Sequence, residues 1–380
     1  TYIGWKKEST LDITSLPMKT KLRLSAHVLL IYSLLFSWPT AAHSAPPGLA
    51  NQLPDLVENV IDGVVNISST RFVKQWVLRG MPEFFGMFGI PEEHVSKQSS
   101  LGSGFLIDGD GYIITNNHVI EGADEVVITF RDNRRVPAKI VGRDKLMDLA
   151  LLQLRGGKNN KNLKPVKLGN SDSVRIAEYV FAIGNPFGLG HTVTDGIISQ
   201  KNRSIGIGVL DNFLQTNASI NFGNSGGPLF NFKGEVIGIN TAINGQGQLL
   251  GFAIPIDEAR SKLEDLKKYG YIIRAWLGIL GINITPAIQY NYDLPVDHGV
   301  AITDLVRSGP AADVGLKPGD IIVTLADKEI AARGDIQKIL SKFKPGEKVA
   351  IGIRRGGKKL TYTVKLEVSP DTSKLPQEVL

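Results

Sequence analysis

The sequence contains no cysteine, which excludes a disulfide framework and any metal site built on thiolate ligands. Positive charge is in slight excess, with a formal net charge of +6, and no basic face is interleaved with aromatic residues. We therefore expect no nucleic-acid partner, and no motif predicts a metal ion or a cofactor. The chain is instead rich in glycine. Its length of 380 residues predicts two or three domains, and a 42% apolar share supplies ample core.

The amino-terminal segment has the composition of a secretory leader. A basic stretch follows Met18, an apolar core covers Val28–Trp38, and small residues come next. This order predicts a signal peptide over residues 18–44, cleaved after Ser44. The alternative is a retained membrane anchor, but the apolar core is shorter than the about twenty residues that span a bilayer. The residues before Met18 receive no assignment.

Short apolar segments alternate with turns of glycine, asparagine and aspartate, at a spacing typical of all-β barrels. A first set of predicted strands comprises Gly63–Ile67, Gly104–Ile107, Tyr112–Thr115, Val126–Phe130, Val136–Val141 and Leu149–Leu154. A second set comprises Tyr179–Ile183, Thr192–Gln200, Phe213–Thr216, Pro228–Phe230, Glu235–Asn240 and Gly251–Ile254. Beyond them, Asp257–Tyr269 predicts an amphipathic helix that links this unit to the next.

A serine flanked by glycines lies in the segment Asn221–Pro228. Glycine adopts backbone angles that other residues avoid, so the amides of Gly223 and Ser225 can point at one spot beside the serine hydroxyl. Such a pair of donors suits a developing oxyanion, although a plain loop would also use these residues. A base and a carboxylate lie upstream, because His118 and Asp148 each adjoin a predicted strand. The order His118, Asp148, Ser225 is that of a two-barrel serine protease.

Five motifs carry a resemblance to a known family. They are Leu101–Phe105, Thr115–Ile120, Asp148–Ala150, Ala182–Gly188 and Gly223–Pro228. Together they resemble the HtrA/Deg family of ATP-independent serine proteases, from about Asn51 to about Val368. The resemblance implies a mainly β chain: a chymotrypsin-like protease domain of two six-stranded barrels, followed by one PDZ domain. The implied boundaries are 45–258 for the protease, 259–275 for a linker helix, 276–368 for the PDZ domain and 369–380 for a polar tail.

The resemblance assigns a role to each residue of the expected active site. Ser225 would be the nucleophile, His118 the general base and then acid, and Asp148 the residue that orients His118. The oxyanion hole would comprise the turn Gly223, Asn224 and Ser225.

Further positions follow from the same resemblance. The primary specificity pocket would be lined by Ile220, Ala242 and Leu250, whose apolar side chains imply cleavage after small aliphatic residues. Arg203 would be the sensor that links occupancy of the PDZ domain to the order of the active site; its alternative is a solvated loop cation. The sequence departs from the family at Asn217, where aspartate is usual, and at Phe222, where proline is usual. We expect these two departures to affect activation and specificity.

Two regions outside the catalytic motifs are expected to bind polypeptide. By resemblance, Trp276, Leu277, Gly278 and Ile279 form the loop of the PDZ domain that binds a peptide carboxylate, while the adjacent strand edge accepts the peptide as an extra strand. Residues 71–100 are rich in aromatic residues, glycine and proline and predict a long regulatory loop. By resemblance this loop reaches into a neighbouring subunit's active site at rest; the alternative is a surface loop packed on itself.

Three functions remain open on the sequence alone. The first is a periplasmic quality-control endoprotease, a homotrimer or higher homo-oligomer, that cuts unfolded polypeptides without ATP and recognises C-terminal peptides through its PDZ domain. The second is a regulatory protease anchored at the inner membrane by a retained leader and cleaving one membrane substrate. The third is a chaperone with a PDZ domain and a silent triad. The intact triad favours an enzyme.

Overall fold

The protein is described by a computed structural model. The described residues are 51–79, 90–185, 190–203, 212–221, 223–241 and 250–370, with the backbone alone in 74–79 and 90–95. The expected signal peptide and most of the expected polar tail therefore lie outside the described residues. Within these ranges no helix is long and apolar enough to cross a membrane.

Six antiparallel strands form the first barrel. They are β1 (Val64–Arg79), β2 (Ile90–Leu106), β3 (Tyr112–Thr115), β4 (Glu125–Thr129), β5 (Arg135–Asp144) and β6 (Leu149–Leu154). The sheet closes in the order β1-β2-β3-β6-β5-β4. Helix α1 (Leu53–Val60) and a 3₁₀ turn (Ile61–Gly63) precede it, and the one-turn helix α2 (Asn117–Ile120) follows β3. In β4, buried Val126 and Ile128 alternate with more exposed neighbours, as expected when one face of a strand lines a barrel interior.

The expected long loop over residues 71–100 is largely a hairpin. β1 and β2 pair without a break in register from Val64 opposite Phe105 to Arg79 opposite Ile90. The prediction of loop for 71–79 and 90–100 is therefore wrong, because backbone pairing extends the hairpin well beyond the barrel. Residues 80–89 of the expected loop lie outside the described residues.

The second barrel also consists of six antiparallel strands. They are β8 (Tyr179–Gly184), β9 (Thr192–Arg203), β10 (Phe213–Thr216), β11 (Pro228–Asn231), β12 (Glu235–Thr241) and β13 (Gly251–Pro255). Their order is β11-β8-β9-β10-β13-β12, and pairing of β11 with β12 closes the ring. A two-residue strand, β7 (Lys167–Leu168), adds to β12 in parallel. The predicted fold class of two six-stranded barrels is confirmed.

Strand β6 contributes to the packing of the two barrels against each other. Alternate side chains of a strand point to opposite faces, and both faces of β6 are apolar and buried. Ala150 and Leu152 pack in the interior of the first barrel. Leu149 and Leu151 pack on the other face in a shared core with Phe181 and Phe230 of the second barrel. The residue immediately before β6, Asp148, is thereby held at the junction of the two barrels.

The connection between the protease and the next module is two helices rather than one. Helix α3 (Ile256–Arg260) ends before Ser261, and α4 (Leu263–Tyr269) ends at Gly270, whose positive φ of 81° terminates it. The single predicted helix over Asp257–Tyr269, and its extension to residue 275, are therefore wrong. The break at Ser261 lets each helix take its own direction, so that Ala259 of α3 and Leu266 of α4 are both buried in the shared core.

The carboxyl-terminal module is a small β-sheet with three short helices. Its strands are β14 (Ala275–Trp276), β15 (Ile279–Asn283), β16 (Val300–Leu305), β17 (Ile321–Leu325), β18 (Lys328–Glu329), β19 (Lys348–Arg355), β20 (Lys358–Lys365) and β21 (Glu367–Val368). The main sheet has the order β15-β16-β17-β19-β20, with β18 beside β17, and β14 pairs with β21. Helices α5 (Pro286–Tyr292), α6 (Pro310–Asp313) and α7 (Arg333–Leu340) accompany it, and the module has a hydrophobic core of its own.

Candidate active site

His118 and Asp148 form a two-point contact. The backbone N–H of His118 donates to Asp148 Oδ1 at 2.9 Å, and the ring Nδ1 lies 2.7 Å from Oδ2. A carboxylate accepts hydrogen bonds only, so this contact places the ring proton on Nδ1 and leaves Nε2 as the basic atom. The side chains are part exposed, at 43% for His118 and 27% for Asp148. The ring is thus oriented by its partner while remaining open to solvent.

The backbone of Asp148 is itself firmly held. It has a positive φ of 50°, a conformation that aspartate tolerates better than most residues. Its carbonyl accepts from the N–H of Asn117 at 3.1 Å and from Nδ2 of Asn116 at 2.9 Å. The same Nδ2 also lies 3.1 Å from Thr241 Oγ1 at the end of β12. Asn116, to which the sequence gave no role, therefore links the backbone of Asp148 to Thr241 in the second barrel. Its neighbour Asn117 links the same carbonyl to α2.

The turn Gly223–Gly226 carries Ser225. This serine turn is buried and anchored at both ends. The N–H of Asn224 donates to Asn221 O at 3.0 Å, and the N–H of Gly226 donates to Asn240 O at 2.8 Å. The carbonyl of Ser225 accepts from the N–H of Ser103 in β2 at 2.9 Å. One bond fixes the turn to β12 and another fixes it to the first barrel. The serine is therefore brought to the junction where His118 and Asp148 also lie.

Glycine is required at position 226 for two reasons. Its φ of 80° is left-handed, and a Cβ there would lie 2.2 Å from Thr115 Oγ1 and 2.3 Å from Ser103 O. Both atoms belong to the first barrel and have little freedom to move, because their residues are fully buried. Gly223 also has a positive φ, of 99°. The glycines of the motif thus allow the turn both its shape and its close approach to the first barrel.

The structure describes two of the three residues of the expected specificity pocket. Ile220 is half-buried, and its Cγ1 would lie 2.7 Å from a Cβ built on Gly251. Leu250, the neighbour of that glycine, is 51% exposed. Ala242 lies outside the described residues. The structure therefore brings Ile220 close to the chain beside Leu250 and leaves Leu250 accessible.

Of the expected sensor Arg203 and the two positions that depart from the family, the structure describes Arg203 and Asn217. Arg203 is the exposed last residue of β9, in register with Phe213 of β10. Asn217 lies between β10 and the serine turn, and its Oδ1 accepts from the N–H of Ile197 at 2.7 Å. An aspartate would offer the same acceptor, which explains why asparagine fits there. Phe222 lies outside the described residues.

The expected carboxylate-binding loop joins β14 to β15. Leu277 and Ile279 are fully buried, while Gly278 turns the chain with a φ of 77°. Val306 N donates to Gly278 O at 2.9 Å, and Ala311 N donates to Leu277 O at the same distance. Trp276 is buried, and its Nε1 has no hydrogen-bond partner within the part of the chain that the structure describes. These carbonyl contacts fix the loop beside β15, the terminal strand of the main sheet as described.

Among the described residues no group of three or more histidine and acidic side chains could hold a metal ion.

Comparison with known proteins is consistent with these features. A family model described as a trypsin-like peptidase domain matches residues 102–239, and a PDZ domain model matches residues 278–366. A relative from Halomonas elongata, named probable periplasmic serine endoprotease DegP-like, is 38% identical over 93% of this chain and 78% of its own length. The chain belongs to the HtrA family of serine endoproteases.

Other HtrA proteins show comparable similarity. A Pseudomonas putida protein with the same DegP-like name is 39% identical, over 84% of this chain and 71% of its own length. The solved structure of the HtrA-type protease AlgW with decapeptide has a TM-score of 0.64 and 37% identity, covering 83% of this chain and 98% of that one. The serine endoprotease from Yersinia pestis has a TM-score of 0.61 and 31% identity, covering 86% of this chain and all of that one.

Membership of the HtrA family makes the chain a serine endopeptidase with a trypsin-like peptidase domain and a PDZ domain. Both features were predicted from the sequence and are confirmed. Residues 118, 148 and 225 all lie within the matched peptidase domain. The sequence had given no role to Ser103 or Asn116, although both belong to motifs that carry the resemblance.

Proposed function

We propose that Ser225, His118 and Asp148 are the catalytic triad of this endopeptidase. The observation that carries the proposal is the two-point contact of Asp148 with the N–H and Nδ1 of His118. That contact leaves Nε2 free to take the proton of Ser225 Oγ as the hydroxyl attacks the scissile carbonyl. His118 then donates this proton to the leaving amine, and water hydrolyses the acyl-enzyme by the same route in reverse.

The oxyanion of each tetrahedral intermediate would be bound by the N–H groups of Gly223 and Ser225, with Asn224 supplying the backbone between them. Such preorganised donors stabilise the charge that develops at the carbonyl oxygen, and one donor is worth about 3 kcal/mol of barrier. The positive φ of Gly223 supports this role because it gives the turn a shape that other residues adopt with strain.

The proposed substrate is an unfolded polypeptide cut after a small aliphatic residue such as valine, alanine or isoleucine. Apolar Ile220, Ala242 and Leu250 would line the pocket, and none of them can pair with a charged side chain. Half-buried Ile220 beside Gly251, and exposed Leu250, support an accessible apolar surface next to the serine turn. Sequencing of the cut ends would test this specificity, and cleavage mainly after charged residues would contradict it.

The PDZ domain would bind the C-terminus of a polypeptide. Amides of the Trp276–Ile279 loop would hold the carboxylate, and β15 would pair with the peptide as an added strand. The fixed carbonyls of Leu277 and Gly278 support a rigid loop. Arg203 would transmit occupancy of this site to the serine turn. A peptide with a free carboxylate should bind and stimulate cleavage, whereas its C-terminal amide should do neither.

The biological role that fits these parts is ATP-independent protein quality control in the periplasm. Relatives named periplasmic endoproteases and the predicted signal peptide support that location. A homotrimer or higher oligomer, and an additional chaperone activity, belong to the same proposal. Degradation of casein or reduced lysozyme by the chain from Ala45 onward, without ATP, would test it beside Ser225→Ala. Degradation that persists in Ser225→Ala would overturn the proposed triad.

A second candidate is a regulatory protease that is switched on by a peptide and cuts one membrane substrate. The observation that favours it is similarity to AlgW, solved with a decapeptide, over 98% of that chain. This candidate predicts little casein degradation without an activating peptide and a leader that stays attached. Amino-terminal sequencing of the exported protein, together with casein assays with and without peptide, separates the two.

A further inference from the structure

Ser103 uses all of its polar groups at the junction of the two barrels. It lies in β2 opposite Asn66 of β1 and is fully buried. Its hydroxyl donates to Gly223 O at 2.6 Å and accepts from the N–H of Asn185 at 2.8 Å. Both distances are those of well-formed hydrogen bonds. One side chain of the first barrel thus bridges the serine turn and the end of β8 in the second barrel.

The main chain of Ser103 adds two further contacts. Its N–H donates to Ser225 O at 2.9 Å, and its own carbonyl accepts from Thr115 Oγ1 at 2.7 Å. Ser103 therefore holds the carbonyl groups at both ends of the tripeptide Gly223–Ser225. Thr115, three residues before His118, holds Ser103 in turn.

The contacts of Ser103 restrict the backbone of the serine turn, which its glycines leave flexible. Glycine has more backbone freedom than other residues, and Gly223 occupies the position whose N–H is proposed to face the oxyanion. The direction of that N–H must therefore be set from outside the turn. Gly223 O belongs to the peptide plane on the other side of the same Cα. A bond to it from Ser103 Oγ therefore fixes that plane and restricts the rotation of Gly223 about its own dihedral angles. Donors that are already aligned need no reorganisation when charge develops.

We propose that Ser103 is a positioning residue for catalysis, which sets the direction of the oxyanion-hole amides through its hydroxyl bridge. The proposal rests on the proposed roles of Ser225 and Gly223. It differs from a merely structural role, in which the hydroxyl would only satisfy the buried N–H of Asn185. A structural role would affect the stability of the enzyme, whereas a positioning role affects the turnover of enzyme that is fully folded.

The test compares Ser103→Ala with the parent on a fluorogenic peptide built on a mapped casein cut site. We expect kcat to fall about tenfold to a hundredfold, less than the loss from removing an oxyanion donor outright, with KM within about threefold. Binding of a peptidyl boronic acid, whose tetrahedral adduct uses the oxyanion donors, should weaken in proportion to the loss of kcat/KM. The matched control is Ser171→Ala, because the buried Ser171 hydroxyl also donates and accepts, to Asp257 Oδ2 and from Asp257 N.

The outcomes separate this inference from the proposed function. Full activity in Ser103→Ala, with Ser225→Ala inactive, would overturn the inference alone. Persisting activity in Ser225→Ala would overturn the proposed triad instead. If Ser103→Ala does not fold, Ser103→Cys keeps a side chain of similar shape whose thiol is a much weaker donor and acceptor. A folded Ser103→Cys enzyme with reduced kcat and unchanged KM then supports the inference, and one with parental kcat rejects it.

Discussion

Arg274 and Asp144 form a buried ion pair that connects the linker to the loop before Asp148, the proposed catalytic aspartate. The guanidinium contacts both carboxylate oxygens, with Nη2 2.9 Å from Oδ1, and the Asp144 side chain is fully buried. Oδ1 also accepts from the N–H of Met147, the residue before Asp148. The carbonyl of Arg274 accepts from Ser369 N at 2.8 Å, at the end of the PDZ domain. Arg274 therefore contacts both the end of β5 in the protease domain and the residue that follows β21 of the PDZ domain.

Removing this arginine should destabilise the protein strongly. Arg274→Ala leaves the Asp144 carboxylate buried without its partner, which costs about 3–5 kcal/mol. Urea unfolding of the parent and the variant would measure the loss. Asp144→Ala added to Arg274→Ala should cost much less than it does alone, because the two residues act as a pair. Additive losses would show that the contact contributes little.

Asp148→Asn should nearly abolish turnover without unfolding the chain. An asparagine can turn its amide N–H₂ towards Nδ1 of His118 and stabilise the tautomer whose proton lies on Nε2, which is then no base. A change of this kind lowers kcat by about 10⁴-fold in a serine protease triad. Asp132→Asn is the control, because its exposed carboxylate pairs only with Arg134 among the described residues. Parental kcat in Asp148→Asn would exclude the proposed role.

Glu258 gives the stability a predicted pH dependence. Burial raises the pKa of its carboxyl above the ordinary value of 4.5, nearby Asp172 raises the pKa further, and a hydrogen bond from Asn212 opposes the rise. The folded state therefore binds the proton more tightly than the unfolded state. Protonated Glu258 therefore contributes to the free energy of unfolding. This contribution is fully present below pH 4.5 and is lost as the pH rises through the higher pKa of the folded state.

Glu258→Gln keeps an acceptor for Asn212 and removes the charge. The variant should be more stable than the parent at neutral pH, and the difference should vanish as the pH falls below about 4.5, where the parent carboxyl is also neutral. Urea midpoints at a series of pH values would measure this. Exposed Glu264 in α4 supplies the control variant Glu264→Gln. A constant difference at every pH would contradict the prediction.

Gly226→Ala should remove activity through a steric clash. The new Cβ would lie within 2.3 Å of Thr115 Oγ1 and Ser103 O, so the serine turn or the first barrel must shift. Gly315→Ala is matched in backbone angle, with a φ of 85°, but its Cβ would meet nothing within 4 Å. The control should lose only about 1–2 kcal/mol of stability, the cost of left-handed backbone in a residue other than glycine. Equal effects of the two changes would mean that strain alone matters.

The barrel strands illustrate what local pattern can predict. Tyr112–Thr115, Leu149–Leu154 and Phe213–Thr216 have the bounds that the sequence predicts, because apolar runs between turn residues define them locally. The hairpin arms 71–79 and 90–100 were missed because their strand character depends on pairing with each other, and partners such as Arg71 and Gln98 are 27 positions apart, beyond the reach of a local pattern. The linker was predicted as one helix because a shared apolar face does not reveal a break at Ser261.

The sequence by itself determined the chemistry and the family of this protein. His118, Asp148 and Ser225 stand in motifs whose residue types and order suffice to predict a serine endopeptidase. The resemblance over residues 276–368 adds a PDZ domain, and the family is confirmed. Only the tertiary structure showed how the motifs hold one another. Ser103 reaches Gly223 across 120 positions, Asn116 reaches Thr241 across 125, and Arg274 reaches Asp144 across 130. Contacts at such separations depend on how the barrels and linker pack, and no local pattern in the sequence encodes them.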